Sequence, residues 1–87
     1  MKVSVYDTYV TNKAGKTMHF DILVPDGEKN IEKIYEYGKT YLKTKGQEGQ
    51  VLASEECKFC HIQEATLEVK NEIATKGFSI IEMENCD

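Results

Sequence analysis

Thr17-Met18-His19-Phe20-Asp21-Ile22-Leu23-Val24 is the stretch that decides the fold, because an apolar side chain recurs at every second position from Met18 to Val24. A period of two is typical of a β-strand that packs one face on a core. The preceding segment, Lys2 to Val10, is rich in β-branched and aromatic residues, which favour a second strand. The polar segment between the two contains Gly15 and predicts a turn. We therefore predict an antiparallel hairpin.

Two helices are predicted after the hairpin. In the first, six residues recur at helical spacing and would form one stripe: Ile31, Ile34, Tyr35, Gly38, Tyr41 and Leu42. Asp26 is its predicted N-cap, and Lys45-Gly46 is its predicted end. The second helix is predicted to begin at the N-cap Thr66 and to end at Lys76-Gly77.

Two more strands complete the predicted fold, a short one at about Val51 to Glu55 and a last one from Phe78 to Met83. The order is β-β-α-β-α-β. Because we take the two strand–helix–strand connections as right-handed crossovers between parallel strands, we expect a mixed four-stranded sheet. Both helices are expected on one face of it, in a two-layer α+β sandwich. The chain has 87 residues and is expected to form a single domain over residues 1–87.

Composition narrows the range of partners. The chain has 15 acidic and 11 basic residues, and its formal net charge is −4. Such a surface is repelled by phosphate backbones, so we expect no nucleic-acid partner. The apolar runs are too short for a transmembrane helix, and the N-terminus lacks the apolar core of a signal peptide. We therefore expect no membrane association and a cytoplasmic location. An open sheet face would suit a protein partner or a homodimer.

The stretch Cys57-Lys58-Phe59-Cys60-His61 concentrates two of the three cysteines and one of the two histidines. It follows the predicted third strand, and Cys86 follows the last strand. If those strands are parallel, both ends emerge at the same edge of the sheet. Zinc prefers four tetrahedral nitrogen and sulfur ligands, so zinc is the candidate cofactor. The candidate metal ligands are Cys57, Cys60, His61 and Cys86.

Other interpretations of this stretch remain open. The pair of cysteines could serve thiol redox chemistry, although Pro25 is the only proline and no proline follows the pair. Buried thiols could also simply pack as small apolar residues. The spacing matches c-type haem attachment too, but that attachment needs an exported chain, and no export signal is present.

A second polar cluster is predicted on the hairpin. If Thr11 pairs with Thr17, then Tyr9 faces His19 and Asp7 faces Asp21, all on one side of the sheet. Opposed carboxylates are unfavourable unless something compensates them, such as His19, a lysine or a metal. A histidine between carboxylates could act as a metal ligand or a general base. A solvated strand face without chemistry would show the same pattern. The residues that carry this secondary site are Asp7, His19 and Asp21.

The chain also resembles a known family. The resemblance lies in Val5-Tyr6-Asp7-Thr8-Tyr9-Val10, in Met18-His19-Phe20-Asp21, in Ser54-Glu55-Glu56-Cys57-Lys58-Phe59-Cys60-His61, and in Met83-Glu84 before a near-terminal cysteine. These segments are similar to the small bacterial family called domain of unknown function 2024. The resemblance implies a stand-alone α/β protein and transfers no activity and no catalytic residues.

From all of this we expect a small cytosolic binding or interaction module without catalytic activity. Its Cys/His cluster would be structural or would bind zinc. The alternative is a thiol-dependent redox enzyme that uses Cys57 and Cys60, and the sequence alone does not decide whether the protein is an enzyme.

Overall fold

The computed structural model describes residues 1–50, 52 and 57–86. Its elements are β1 (Lys2–Thr11), β2 (Thr17–Pro25), α1 (Ile31–Thr44), β3 (Cys57–Glu64), α2 (Leu67–Lys76) and β4 (Ser79–Glu84). The predicted α+β class and the predicted element order are confirmed. The strand predicted at about Val51 to Glu55 falls, apart from the buried Leu52, outside the described residues. The third strand of the structure is instead the cysteine stretch itself.

The predicted hairpin and its register are confirmed. β1 and β2 are antiparallel, with Thr11 opposite Thr17 and Asp7 opposite Asp21. The turn between them is held by Asn12, whose side-chain oxygen accepts hydrogen bonds from the backbone N–H groups of Ala14 and Lys16, both at 2.9 Å. Such side-chain capping of a turn fixes where the strands begin to pair, and thereby fixes which residues share a face.

The sheet is antiparallel throughout, with strand order β3-β1-β2-β4. The prediction of a mixed sheet with parallel last strands was therefore wrong. The two connections that contain helices carry the chain to opposite edges. β3 lies beside β1, β4 lies beside β2, and the hairpin occupies the centre. As a result, the ends of β3 and β4 do not meet at one edge of the sheet.

The two helices pack on opposite faces of the sheet, so the prediction of both helices on one face was also wrong. α1 buries Ile34 and Leu42 in a core that contains Ile22. α2 buries Val69 and Ile73 in a separate core that contains Leu23. Since consecutive residues of a strand point to opposite faces, these cores lie on opposite sides of β2. We call them the α1 face and the α2 face.

Helix ends follow local capping chemistry. Thr66 caps α2 as predicted, because its hydroxyl oxygen accepts a hydrogen bond from the backbone N–H of Val69 at 3.2 Å. The N-cap of α1 is Asn30 and not the predicted Asp26. Gly46 and Gly77 follow the two helices with φ of +72° and +90°, where glycine is favoured. Within the described part of the chain, neither helix has the length and apolar character needed to cross a membrane.

Candidate metal centre

The hairpin brings Asp7, His19 and Asp21 together on the α2 face. His19 Nε2 is hydrogen-bonded to Asp7 Oδ1 at 2.5 Å and lies 3.9 Å from Asp21 Oδ1. One ligand atom from each of the three side chains lies within 4.8 Å of the others. Among the residues that the structure describes, this is the one group of three or more histidine, cysteine or acidic side chains with the spacing of a metal site. The cluster predicted from the hairpin register is thus assembled in the fold.

The position of α2 explains why this part of the sheet stays polar. α2 covers one end of its face, where Val3, Val5 and Leu23 form the core. Toward the turn the same face carries the polar cluster. There the Tyr9 ring stacks on the His19 ring, with centroids 4.3 Å apart and planes 12° apart. The stack covers one side of the imidazole and limits its rotation.

The pKa values of Asp7 and Asp21 are shifted in opposite directions. The hydrogen bond with His19 lowers the pKa of Asp7. Burial, followed by hydrogen bonding with Asp7 and the charge of Asp7, raises the pKa of Asp21 from 3.8 to about 6. The Asp21 side chain is only 13% exposed, whereas that of Asp7 is 35% exposed. Two carboxyl groups at one site cannot both ionise cheaply, and here the buried one holds its proton to a higher pH.

Asp21 Oδ1 is buried and has no hydrogen-bond partner, the one such side-chain oxygen or nitrogen within residues 1–50, 52 and 57–86. An unpaired buried oxygen of this kind costs roughly 1–3 kcal/mol. Two ligand atoms on one tetrahedral ion lie about 3.3 Å apart, given bonds of about 2.0–2.1 Å. The 3.9 Å gap between His19 and Asp21 is slightly wider than this, and the 2.5 Å contact between His19 and Asp7 is narrower. Small rotations of Asp7 and Asp21 would therefore make the three side chains fit one ion.

The four candidate zinc ligands of the cysteine stretch are not brought together. Cys57 is buried on the α1 face, where the Thr8 hydroxyl donates to its sulfur at 3.4 Å. Cys86 is buried in the same α1-face core, but its thiol donates elsewhere, to the carbonyl oxygen of His19 at 3.4 Å. All three cysteines are free. A single ion held by Cys57, Cys60, His61 and Cys86 does not fit this arrangement, because the parallel strand ends on which it depended do not exist.

Cys60 and His61 do stay together, because a bulge interrupts β3 at this point. Val5 pairs with His61 and Tyr6 pairs with Phe59, which leaves Cys60 as the extra residue. Its sulfur lies 3.2 Å from His61 Nδ1, and both side chains are exposed. His61 faces the polar cluster closely enough for its charge to lower the pKa of Asp7.

Comparison with known proteins places the chain in a family. A family model described as "Domain of unknown function (DUF2024)" matches residues 1–83. The chain belongs to this family. The chain is also similar to a solved structure, the NMR structure of protein NE1680 from Nitrosomonas europaea, a target of the Northeast Structural Genomics Consortium. The two sequences are 42% identical over 100% of each chain, and the TM-score is 0.84. None of the curated proteins matches the chain.

One concave feature of this DUF2024 protein was missed by sequence reasoning. A cleft of about 600 Å³ lies between α1 and β4. In it, the Tyr41 hydroxyl donates to Glu82 Oε2 at 2.6 Å, and Lys45 Nζ lies 2.8 Å from the same oxygen. Glu82 is far from Tyr41 and Lys45 in the chain, and the placement of β4 beside β2 brings it to them. No spacing in the sequence signals that contact.

Proposed function

We propose that this DUF2024 protein is a small metal-binding module that holds one divalent cation between Asp7, His19 and Asp21. The observation that carries the proposal is the buried, unpartnered Oδ1 of Asp21, which lies beside the imidazole nitrogen of His19 and the second carboxylate. A cation would give that oxygen its missing partner. It would also compensate the repulsion between the two carboxylates.

The donor set favours a particular class of ion. One imidazole nitrogen and two carboxylate oxygens suit zinc and similar divalent transition metals better than soft ions that need thiolates. Three protein ligands leave at least one coordination position open, unlike a closed structural zinc site with four. Because Asp7 is partly exposed, that position would face solvent. The bound ion would therefore be accessible to a small oxygen or nitrogen ligand.

The alternative of a thiol-dependent redox enzyme has little support in the geometry. Burial raises the pKa of the Cys57 thiol, which disfavours the reactive thiolate. Cys57 packs into the α1-face core, whereas Cys60 lies exposed beside His61. A disulfide between them would require the strand to be remodelled.

Isothermal titration calorimetry with a zinc salt tests the proposal. The protein for this titration carries Cys60→Ser, so that the exposed thiol does not contribute. We expect one zinc ion per chain. Asp21→Asn should weaken zinc binding by at least about tenfold. Loss of an outer-shell partner already costs about 10–100-fold in metal affinity, and loss of a ligand should cost no less.

Asp26→Asn is the matched control, since it removes an exposed carboxylate from the loop after β2. It should bind zinc as tightly as the parent protein. The proposal fails if the parent protein binds no zinc at micromolar concentrations, or if Asp21→Asn and Asp26→Asn have the same affinity.

A further inference from the structure

The exposed pair formed by Cys60 and His61 has the geometry of half a metal site. Adjacent residues of a regular strand point to opposite faces, and could not share an ion. The bulge at Cys60 removes this obstacle, because two residues of β3 here oppose the single residue Val5. The sulfur and Nδ1 are 3.2 Å apart. Two ligands on one zinc ion would lie about 3–3.6 Å apart, given bonds of about 2.3 Å to sulfur and 2.0–2.1 Å to nitrogen.

Gln63 prepares the imidazole for this role. His61 Nε2 lies 2.8 Å from Gln63 Oε1. An amide oxygen only accepts hydrogen bonds, so Nε2 carries the proton and Nδ1 of the neutral ring keeps its lone pair toward the thiol. Orientation of a ligating histidine through its other nitrogen is the usual outer-shell arrangement at metal sites.

Within residues 1–50, 52 and 57–86 of one copy, no side chain completes this half-site to the four ligands of a closed zinc site. Cys57 and Cys86 are buried elsewhere, and no group of three that includes Cys60 or His61 occurs among the described side chains. A second copy of the chain can supply the missing ligands. β3 offers a place for them, because it is an edge strand that pairs with β1 on one side only.

A second copy can pair its β3 with this edge in an antiparallel register in which every pair of facing residues lies on the same face. If two β3 strands pair antiparallel over all eight residues, Cys57 lies opposite Glu64, Lys58 opposite Gln63, Phe59 opposite Ile62, and Cys60 opposite His61. Residues opposite each other in a sheet must share a face. The β1 pairings put Cys57, Phe59, Ile62 and Glu64 on one face and Lys58, His61 and Gln63 on the other, with Cys60 beside His61. Every pair in this register therefore matches, and it does so because of the bulge.

Apolar exposure is complementary in the same register. A parallel pairing in register would instead align like charges, Lys58 with Lys58 and Glu64 with Glu64. Phe59 and Ile62 are 54% and 49% exposed, and each would cover the other across the interface. Strands of eight residues bury less than the roughly 1,200–2,000 Å² of a stable interface. The pairing would thus need an additional link between the copies.

We propose that one zinc ion supplies this link and joins two copies of the chain, with Cys60 and His61 of each copy as its four ligands. Zinc binding displaces one proton from each thiol, and the two thiolates with two imidazoles form a closed Cys2His2 set. This site is separate from Asp7, His19 and Asp21, and it does not depend on the function proposed for them.

The test measures molar mass by light scattering after size exclusion, with and without zinc, on protein carrying Asp21→Asn. That change removes the other metal site, so the result is the same whether or not the other proposal holds. We expect zinc at one ion per two chains to double the mass at tens-of-micromolar chain concentration, and a chelator to reverse the change. Cobalt in place of zinc should give thiolate-to-metal absorption.

Three variants complete the design. Cys60→Ser and His61→Ala should stay at the mass of one chain with zinc, and Cys60→Ser should lose the cobalt–thiolate absorption. Ile62→Lys, a change at an exposed position, should weaken zinc-dependent pairing while leaving the thermal unfolding of the single chain unchanged. The proposal is overturned if zinc leaves the mass at that of one chain, if the mass doubles without zinc, or if Cys60→Ser still doubles.

Discussion

His19 Nε2 lies 3.9 Å from the buried Oδ1 of Asp21, and no hydrogen bond joins these two atoms. The separation is too long for a hydrogen bond and only slightly longer than the distance between two ligands of one metal ion. Nearby, Asp7 takes the only hydrogen bond that His19 Nε2 makes within the described residues. The site is thus balanced between two arrangements. In one, Asp21 is protonated and its Oδ1 has no hydrogen-bond partner. In the other, a cation binds all three side chains.

Zinc affinity should depend on pH because Asp21 must lose its proton before it can bind a metal. Its pKa is raised to about 6, and the titratable groups whose charges act on it are Asp7, His19 and His61. Below this pKa, each unit decrease in pH should weaken zinc binding by about tenfold. Calorimetric titrations from about pH 5 to 7.5 measure this slope. A pH-independent affinity over that range would contradict the assignment of Asp21 as a ligand.

The raised pKa of Asp21 should also make the stability of the metal-free protein depend on pH. Because the folded-state pKa is raised, the stabilisation that protonated Asp21 gives the folded state is fully present below about pH 4 and is lost as pH rises through about 6. Asp21→Asn removes this titration. The melting temperature of the variant should therefore gain on that of the parent, on the order of 5 °C, between pH 4 and 7. Parallel melting curves for the two proteins across this window would show that Asp21 titrates normally.

Stacking by Tyr9 should matter for metal binding and not for folding. Tyr9 is 41% exposed, and its main contact at the site is the parallel stack on His19. Tyr9→Leu should weaken zinc binding roughly 3–10-fold, since the imidazole loses the group that limits its rotation. Tyr9→Phe keeps the ring and should bind as the parent does. Equal affinities for the leucine and phenylalanine variants would show that the stack has no positioning role.

We expect that no residue with a Cβ replaces Gly77 without cost, because of its backbone conformation and because of the side chain next to it. Its φ is +90°, and an added Cβ would lie 2.9 Å from the Tyr37 hydroxyl. Gly46, one residue past the C-cap of α1, has a φ of +72° and nothing within 4 Å of an added Cβ. Gly46→Ala should cost about 1–2 kcal/mol of unfolding free energy for the backbone alone. Gly77→Ala should cost about 1 kcal/mol more. Equal losses in chemical denaturation would mean that Tyr37 moves aside freely.

The hairpin and its polar cluster could be predicted from the sequence because their signals are local. The alternation from Thr17 to Val24 sets which side chains face the core, and the turn at Asn12 sets the register. Once the register is right, Asp7, His19 and Asp21 must share a face. The helix ends at Gly46 and Gly77 follow from equally local chemistry.

The sheet order and the fate of the cysteine stretch could not be predicted in this way. β3 lies at an edge, and most of its side chains are exposed on either face, so no period of two marks it as a strand. Its bulge at Cys60 further disturbs any alternation. The rule of right-handed crossovers applies to parallel strands joined by a helix. Here each helix instead leads to the opposite edge of an antiparallel sheet. Cys57 and Cys86 therefore share the α1-face core without forming a group with metal-site spacing among the described residues.

The most direct test of the metal centre follows the ring nitrogens of the two histidines by NMR, in Cys60→Ser protein titrated with zinc. Long-range correlation spectra report the protonation and metal ligation of each imidazole nitrogen separately. We predict that one equivalent of zinc shifts Nε2 of His19 to a metal-bound position and leaves the His61 ring unligated. If His19 is unchanged while zinc binds, or if zinc does not bind, Asp7, His19 and Asp21 do not form a metal site.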